Sequence, residues 1–346
     1  MTIKTSELKK ILSIVKHGIG KPKEAPQPDT IIFTENYIMA VGYNTCVRMN
    51  QKTGIQCAIP SDALMGFVNK VVGEDLTISY EDNLLLVTCG KAKAKIRTEA
   101  LTDETCAKIR EAFMVADDSW ITLPFKNESL GREIDNVRHA CSTDPMRLVL
   151  STVHVFTKED EVFVEATDGR RAVRRGIKVL PEDTIPEINW LLLPNSIALL
   201  NATSVEKFAI NTGWLTFDGE GIRFSVRMID GKFPNVDQVI PEIDKKKIVA
   251  FNKDFADVVT RANSLGIEHV TLEIENENVL IRGKNDNIDF EDTVTVDGKT
   301  TCTTTFNAKW LLNMLAFGSE IFVQDDKPAC LSSGNGFYVL MPIRVL

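Results

Sequence analysis

Apolar residues return at helical spacing in six stretches of the chain, and between those stretches they run together or alternate as in strands. Residues 6–19 place Leu8, Ile11, Leu12, Val15 and Ile19 on one side, with Ser6 as the expected N-cap and Glu7 behind it. A shorter helix is expected after Pro60, capped by Ser61 and burying Leu64, Phe67, Val68 and Val71. The same order returns at residues 127–140 (Leu130, Ile134, Val137), with a short helix after Pro194 (Ile197, Leu199, Leu200). It returns again at residues 252–265 (Phe255, Val258, Val259, Ala262) and 307–315. Runs such as TIIF, YIMAVG, LTISY and LLLVTC fill the intervals as strands, and the polar, helix-prone residues 103–118 read as a connector. The first helices of the three rounds open at Ser6, Asn127 and Asn252, about 120 residues apart, which is longer than solenoid periods and suits tandem domains. Each round reads helix, strands, helix, strands. The predicted class is α+β: three tandem similar domains (1–117, 118–242, 243–346), each a mostly antiparallel sheet covered by helices on one face.

Residues 227–241, RMIDGKFPNVDQVIP, break this pattern. Gly231 and Pro234 exclude a regular helix there, and few Ala, Leu or Glu residues favour one. Met228, Ile229, Phe233, Val236, Val239 and Ile240 still ask for burial, which predicts an extended connector lying against folded structure on both sides.

Length and composition change this picture little. A chain of 346 residues suits two or three domains, and 44% hydrophobic residues are enough for ordinary cores. No run of about 18 apolar residues occurs and no charged-then-apolar signal opens the chain, so a soluble, cytoplasmic protein with no membrane partner is expected. The seven cysteines (46, 57, 89, 106, 141, 302, 330) are scattered and never in a C-x-x-C pair. Free buried thiols of a reducing compartment are expected, not disulfides or a zinc site.

Charge changes the picture more. A net charge of −8 argues against a nucleic-acid partner only if the charge is evenly spread. Lys9, Lys10, Lys16 and His17 lie opposite the apolar stripe of the first helix, with Lys21 and Lys23 after it. Lys70 lies on the second helix, Arg132, Arg138 and His139 on the third, Arg261 on the fifth, and Lys309 opens the sixth. The fourth has no basic residue, and Glu133, Asp135, Asp254 and Asp257 make the segregation partial. Residues 268–297 hold nine acids against Arg282 and Lys284. For any one of these lysines, ordinary solvated surface is the better reading. Together, on helices gathered on one face of each sheet, they would form a basic wall that holds duplex phosphates without reading sequence. No aromatic residues interleave with them, which disfavours stacking on single strands.

Catalytic motifs are missing from the sequence. Gly18-Ile-Gly20-Lys21 lacks the spacing of a phosphate loop and follows a helix instead of opening one. There is no HExxH, no GxSxG and no cysteine–histidine cluster, and the histidines 17, 139, 154 and 269 are isolated. Asp117-Asp118 and Asp325-Asp326 fall in expected turns without partners. No enzyme, no metal and no cofactor is expected.

Three stretches, in order, resemble the bacterial-type DNA polymerase III β subunits, the sliding clamps: FVEATDGRRAV at residues 163–173, the connector at 227–241, and GFYVLMPIRVL at 336–346. The resemblance implies a head-to-tail homodimer of three-domain protomers closed as a ring, with sheets outside and helices lining a central hole around double-stranded DNA. Such a ring tethers the replicative DNA polymerase for processive synthesis by raising its concentration at the template, in the cytoplasm at the nucleoid. An external ATP-driven clamp loader opens it. The resemblance also implies a pocket between the second and third domains for a short extended peptide of these partners, typically Gln and Leu followed by a Leu-Phe pair. Matching positions are Leu150, Thr167, Gly169, Arg170, Arg171 and Ala172, then Pro234, Gln238 and Val239 of the connector. The terminus adds Val339, Met341, Pro342, Ile343 and Arg344. Apolar walls would hold the Leu-Phe pair and arginines at the rim would orient the polar part. The DNA-facing set is Lys9, Lys10, Lys16, Lys21, Lys70, Arg132, Arg138, Arg147, Arg261 and Lys309, and the dimer contact is Lys91, Lys93, Ala94, Ile96, Ser264 and Leu265.

Several positions depart from the family pattern. Ala172 stands where a larger Leu is usual, and Gln238 replaces a basic residue. One residue more than usual follows Arg344, ending Val345-Leu346 beside the pocket. The loop 142–149 lacks the polar and tyrosine residues that touch DNA in relatives, although Arg147 remains, and Lys21 matches a DNA-touching arginine. Leu265 and Ile96 match apolar dimer positions, Ala94 and Ser264 are smaller or more polar than usual, and Lys91 and Lys93 keep the basic ridge. The first domain matches in pattern only. Such drift suits a phage-encoded or otherwise diverged clamp, and it leaves a second reading open: a clamp-like peptide-binding module or decoy that does not encircle DNA. An enzyme acting on nucleic acid would need a carboxylate or metal cluster that the sequence does not show.

Overall fold

The computed structural model describes residues 1–23, 25–179, 185–325 and 327–344, and it forms helical turns at each of the six periodic stretches. The α-helices are α1 (Thr5–Val15), α2 (Ser61–Lys70), α3 (Asp103–Phe113), α4 (Asn127–Val137), α5 (Lys253–Ser264) and α6 (Ala308–Phe317). The stretch after Pro194 is a 3₁₀ helix, Pro194–Asn201, that buries Ile197, Leu199 and Leu200. Asn252 and Asn307 cap α5 and α6 by accepting from Phe255 N and Trp310 N at 3.0 and 3.1 Å.

Ser6 and Ser61 are not caps; both sit inside their helices, and neither helix has a side-chain cap. Backbone from elsewhere does the work instead. Thr5 N donates to Glu74 O and Ser61 N to Asp29 O, each at 2.8 Å, so the first orphan amides already have partners. The first helix also ends earlier than residue 19, at Val15, followed by a 3₁₀ turn. Gly18 in that turn is pressed against a strand, where a Cβ would lie 2.7 Å from Ala40 O.

The chain divides into two compact units, one of Met1–Arg132, Lys178–Pro186 and Trp190–Asp230, the other of Glu133–Ile177, Glu187–Asn189 and Gly231–Leu346. The first holds a four-stranded sheet, Thr2–Lys4, Asp75–Glu81, Leu84–Cys89 and Ala92–Arg97 in that order. Its second sheet has eight strands in the order Cys57–Pro60, Thr30–Phe33, Tyr37–Val41, Thr45–Asn50, Ile222–Arg227, Trp214–Gly219, Lys207–Asn211 and Ile121–Thr122. The described ladders are antiparallel. Alternation along one strand sends Ile31 and Phe33 to a core with α1 and α2, and Ile32 to a core with Ala112 and Phe113 of α3. The polar connector expected at 103–118 is therefore a helix, and it covers the opposite face of the sheet. Ile109, Ala112 and Phe113 near its end sufficed to seat it, too few to register as periodicity.

The second unit carries a single sheet. Beyond Asn189 of the edge strand Asn189–Leu192 its strands run Val153–Lys158, Glu161–Thr167, Arg171–Ile177, Gly336–Leu340, Ala329–Ser333, Glu320–Phe322, Ile248–Ala250, Asp289–Asn307 and His269–Lys284. α5 buries Phe255, Val258, Val259 and Ala262, and α6 buries Ala308, Leu311 and Met314. Residues 118–242 thus contribute strands to both units. Ladders formed far apart in sequence explain this: Val47 pairs with Phe224, and Ala172 with Val339. Among the described residues no helix is long and apolar enough to cross a membrane. All seven cysteines are unpaired, five buried and Cys106 and Cys141 half-buried. Burial pushes the Cys46 and Cys141 thiols up to about 12.

Candidate functional site

Between Glu161–Thr167 and Arg171–Ile177 the chain reverses in three residues, and the turn is held by its own side chains. Thr167 Oγ1 donates to Arg171 O at 2.6 Å and accepts from Gly169 N at 3.1 Å. Asp168 Oδ1 accepts from Arg170 N and Arg171 N at 2.9 and 3.1 Å, while its Oδ2 pairs with Arg171 Nε at 3.0 Å. Gly169 has φ +87°, a left-handed value that a side chain would strain. Arg171 is folded in behind the turn at 8% exposure. Its guanidinium lies 5.0 Å from the Trp310 ring centre, its Nη2 donates to His139 O, and its Nη1 has no hydrogen-bond partner.

Two other segments complete the wall. The C-terminal strand pairs Val339 with Ala172, and Met341 N donates to Arg170 O at 2.9 Å. In the connector, Phe233 and Val236 are buried, and a single 3₁₀ turn, Val236–Val239, is capped by Asn235, which accepts from Asp237 N at 3.1 Å. Val239, expected to be buried, is 39% exposed and faces the cavity. The turn is fastened to the sheet through Asp237, 2.6 Å from Arg174 Nη1 and 3.2 Å from Lys158 Nζ; Arg174 is itself held by Glu165 at 2.7 Å. Burial works against the Asp237 charge, but Arg174 and Lys158 outweigh it and hold the carboxyl below its usual range.

Together these segments enclose a cavity of about 210 Å³, wholly within the second unit. Nine expected residues line it: Leu150, Thr167, Gly169, Arg171, Ala172, Pro234, Val239, Val339 and Met341. Asn235 and Val236 line it too and were not in the expected set. Val236 had a signal, since it is an apolar position of the connector; Asn235 enters through the cap it provides, which the sequence does not mark. Gln238 faces a neighbouring groove that shares Val239 and Met341. Pro342, Ile343 and Arg344 do not line the cavity, and Ile343 N is taken by Thr305 O at 2.8 Å. Val345-Leu346, and Asp326 of the acidic pair, lie outside the described residues.

Arg170 lines a second, larger cavity of about 720 Å³ that shares Arg171 with the first. Its rim includes His139, Asp144, Arg147, Asp168, Lys309, Trp310 and Asn313. Burial, and then the Arg171 charge, push the His139 imidazole down to about 4, so it is neutral at pH 7. The structure therefore brings Arg147 and Lys309 of the DNA-facing set next to the arginines of the pocket.

The other expected DNA-facing side chains lie on exposed surface, except Lys9, which is half-buried with Nζ donating to Val71 O at 3.4 Å. Arg138 pairs with Asp135 at 3.4 Å, and Arg261 with Asp292 at 2.5 Å. At the expected dimer contact, Ala92–Arg97 is an edge strand carrying exposed Lys93 and Lys95, with exposed Lys91 in the turn before it. Ser264 and Leu265 are exposed at the end of α5, and Ala94 is half-buried. Ile96, 7% exposed, is turned into the core of its own unit.

Repeated helix-and-sheet units with long-range antiparallel ladders, and a peptide-sized apolar pocket at the C-terminal strand, define the DNA-clamp class of fold. Residues 124–235 match the family described as the central domain of the DNA polymerase III beta subunit. It is 23% identical over 341 residues to a beta sliding clamp of Rickettsia bellii, covering 87% of each chain. It is 25% identical over 264 residues to that of Streptococcus pneumoniae, covering 70% of this chain and 67% of the relative. Among solved structures, the Thermotoga maritima beta subunit superposes with a TM-score of 0.84 at 23% identity, over 100% of this chain and 99% of that one. The Caulobacter crescentus protein gives 0.84 at 21% identity over 99% of both.

Proposed function

We propose that this chain is a DNA sliding clamp: two copies join head to tail into a ring that encircles duplex DNA and tethers a DNA polymerase for processive synthesis. The single observation that carries this reading is the apolar cavity assembled from the turn 167–172, the connector and the C-terminal strand, three segments distant in sequence. A cavity of this size holds one or two large apolar side chains of a short extended peptide, and its arginine rim holds the polar part. Polymerase and clamp loader would present such peptides in turn. The three domains proposed are 1–117, 118–242 and 243–346, and the family match at 124–235 falls inside the second. The ring works by topology and needs no catalytic step. Lysines and arginines on the helices would line the hole, giving contacts that are salt-dependent and indifferent to sequence.

Ring closure would use the edge strand Ala92–Arg97 of one copy, its lysines meeting the acidic hairpin His269–Lys284 and Asp289–Asn307 of the other. The burial of Ile96 and the exposed Ser264 favour a weaker contact than an aromatic pair would give, which keeps the monomeric peptide-binding module as the second reading. Sedimentation equilibrium over micromolar concentrations tests this directly. A dimer is expected; a monomer at every concentration would remove the ring.

A further inference from the structure

We propose that the α3 face of the eight-stranded sheet carries, at the C-terminal end of that helix, a site for a small phosphomonoester dianion built from Arg48, Arg223 and Lys207. The ladders set these residues in one row. Ile32 pairs with Met39, Met39 with Arg48, Arg48 with Arg223, Arg223 with Asp218, and Asp218 with Lys207. Directly paired residues share a face of the sheet, and Ile32 and Met39 belong to the core that α3 covers. The row therefore lies opposite the face packed on α1 and α2, away from the lysines of those helices. In it Arg48 and Arg223 stand side by side with no acid between them, and Asp218 is the one carboxylate for the three cations. Like charges directly opposite on neighbouring strands are destabilising, and an anion bridging them removes that cost.

The two arginines differ in what they already hold. Arg223 Nε donates to Asp218 Oδ1 at 2.6 Å and its Nη1 to Phe113 O at 3.3 Å, and its guanidinium lies 4.7 Å from the Trp120 ring centre. Fastening the last carbonyl of α3 accounts for that side chain. It does not account for Arg48, whose guanidinium packs on the Tyr37 and Phe113 rings, 4.5 and 5.2 Å from their centres, with no ion pair among the described residues. The Arg48 Nε is buried without an acceptor, while its Nη groups, which also lack one, stay open to solvent. Burial, and then the Arg223 charge, hold this guanidinium below its ordinary value, further than Tyr37 and Asp218 restore it. Two rings thus fix a cation with unmade outer donors next to a second cation. A carboxylate brings two coplanar oxygens and one charge, which suits a single guanidinium, and Asp218 already fills that place. A phosphomonoester brings three oxygens and nearly two charges, which suits two guanidinium groups and the surplus of positive charge in the row.

The test titrates inorganic phosphate, adenosine 5′-monophosphate and acetate calorimetrically into the full chain, at one ionic strength set with sodium chloride. Both phosphates are expected to bind, and acetate about tenfold more weakly. Equal affinity for phosphate and the nucleotide would mean that the phosphate group alone is held. Tighter binding of the nucleotide would mean that its base adds a contact, and either result supports the site. Arg48→Met keeps an apolar stem against the rings and removes the guanidinium, so phosphate affinity should fall about tenfold. Its melting temperature in chloride alone should stay level or rise, because the repulsion with Arg223 is gone. Lys207→Met, at an exposed position, should weaken phosphate binding by a smaller factor with the fold untouched. Acetate bound as tightly as phosphate, no phosphate binding by the wild type, or an affinity unchanged in both variants would each overturn the proposal. None of these outcomes depends on ring closure or on the peptide pocket.

Discussion

A single methylene can decide the pocket at the residue level. Gly169 at φ +87° lets Thr167 and Asp168 close the turn that aims Arg171 inward. Gly169→Ala is expected to cost about 1–2 kcal/mol in stability, measured by urea unfolding, and to weaken peptide binding with it. Met341 lines the cavity while remaining half-buried, so Met341→Ala should lower affinity for a Gln-Leu-Ala-Leu-Phe peptide about tenfold with little change in melting temperature. Unchanged affinity would show that the peptide lies elsewhere. His139 ties protonation to stability. Its folded value is depressed to about 4 from an ordinary 6.5, so the folded state binds fewer protons between those values. Its contribution is complete above about pH 6.5 and is lost as pH falls toward 4, and His139→Gln should flatten that part of the pH–stability curve. Asp237 acts lower: its depressed value gives stability above the ordinary carboxylate range that is lost only as pH falls through the depressed value. At this scale the motif ATDGRRAV was legible because its turn chemistry is local. Asn235 was not, because its place depends on where the connector docks.

Elements show where pattern reading succeeds and where a neighbour overrides it. Long one-sided stripes located α4 and α5 almost to their ends and α1 to its start, since burial against a sheet demands that spacing. Caps were legible only when the cap is local. Asn252→Ala is expected to cost about 1 kcal/mol, whereas Ser6→Ala should stay within about 0.5 kcal/mol, because a backbone carbonyl from elsewhere in the chain, Glu74 O, serves the start of α1. Thermal unfolding of the two variants checks the difference. The connector was expected to be extended and is, apart from the turn Val236–Val239, which its apolar residues and Asp237 fasten down. Asp237→Ala should speed amide exchange in residues 236–240 and weaken peptide binding several-fold, with global stability nearly unchanged because the ion pair is partly exposed. Slow exchange as in the wild type would mean that Phe233 and Val236 hold the turn alone.

For the whole molecule, the repeat of helix, strands, helix, strands was visible in one dimension, but the joining of strands was not. The pairing of Thr45–Asn50 with Ile222–Arg227, and of Arg171–Ile177 with Gly336–Leu340, links segments more than a hundred residues apart, and no local periodicity encodes such a register. Charge segregation was legible as a tendency, and the structure refines it by tying Arg138 and Arg261 to carboxylates and turning Lys9 onto Val71. The exposed Lys10, Lys16 and Lys70 remain the strongest candidates for phosphate contact. Lys10→Glu with Lys70→Glu is therefore expected to steepen loss from DNA with salt, without altering peptide affinity. Enclosure itself is tested most directly by assembling the protein on a nicked circular plasmid with a clamp loader and following its retention by gel filtration before and after a single restriction cut. Encirclement requires stable retention on the circle and rapid loss from the linear ends. Equal loss from both forms would contradict it.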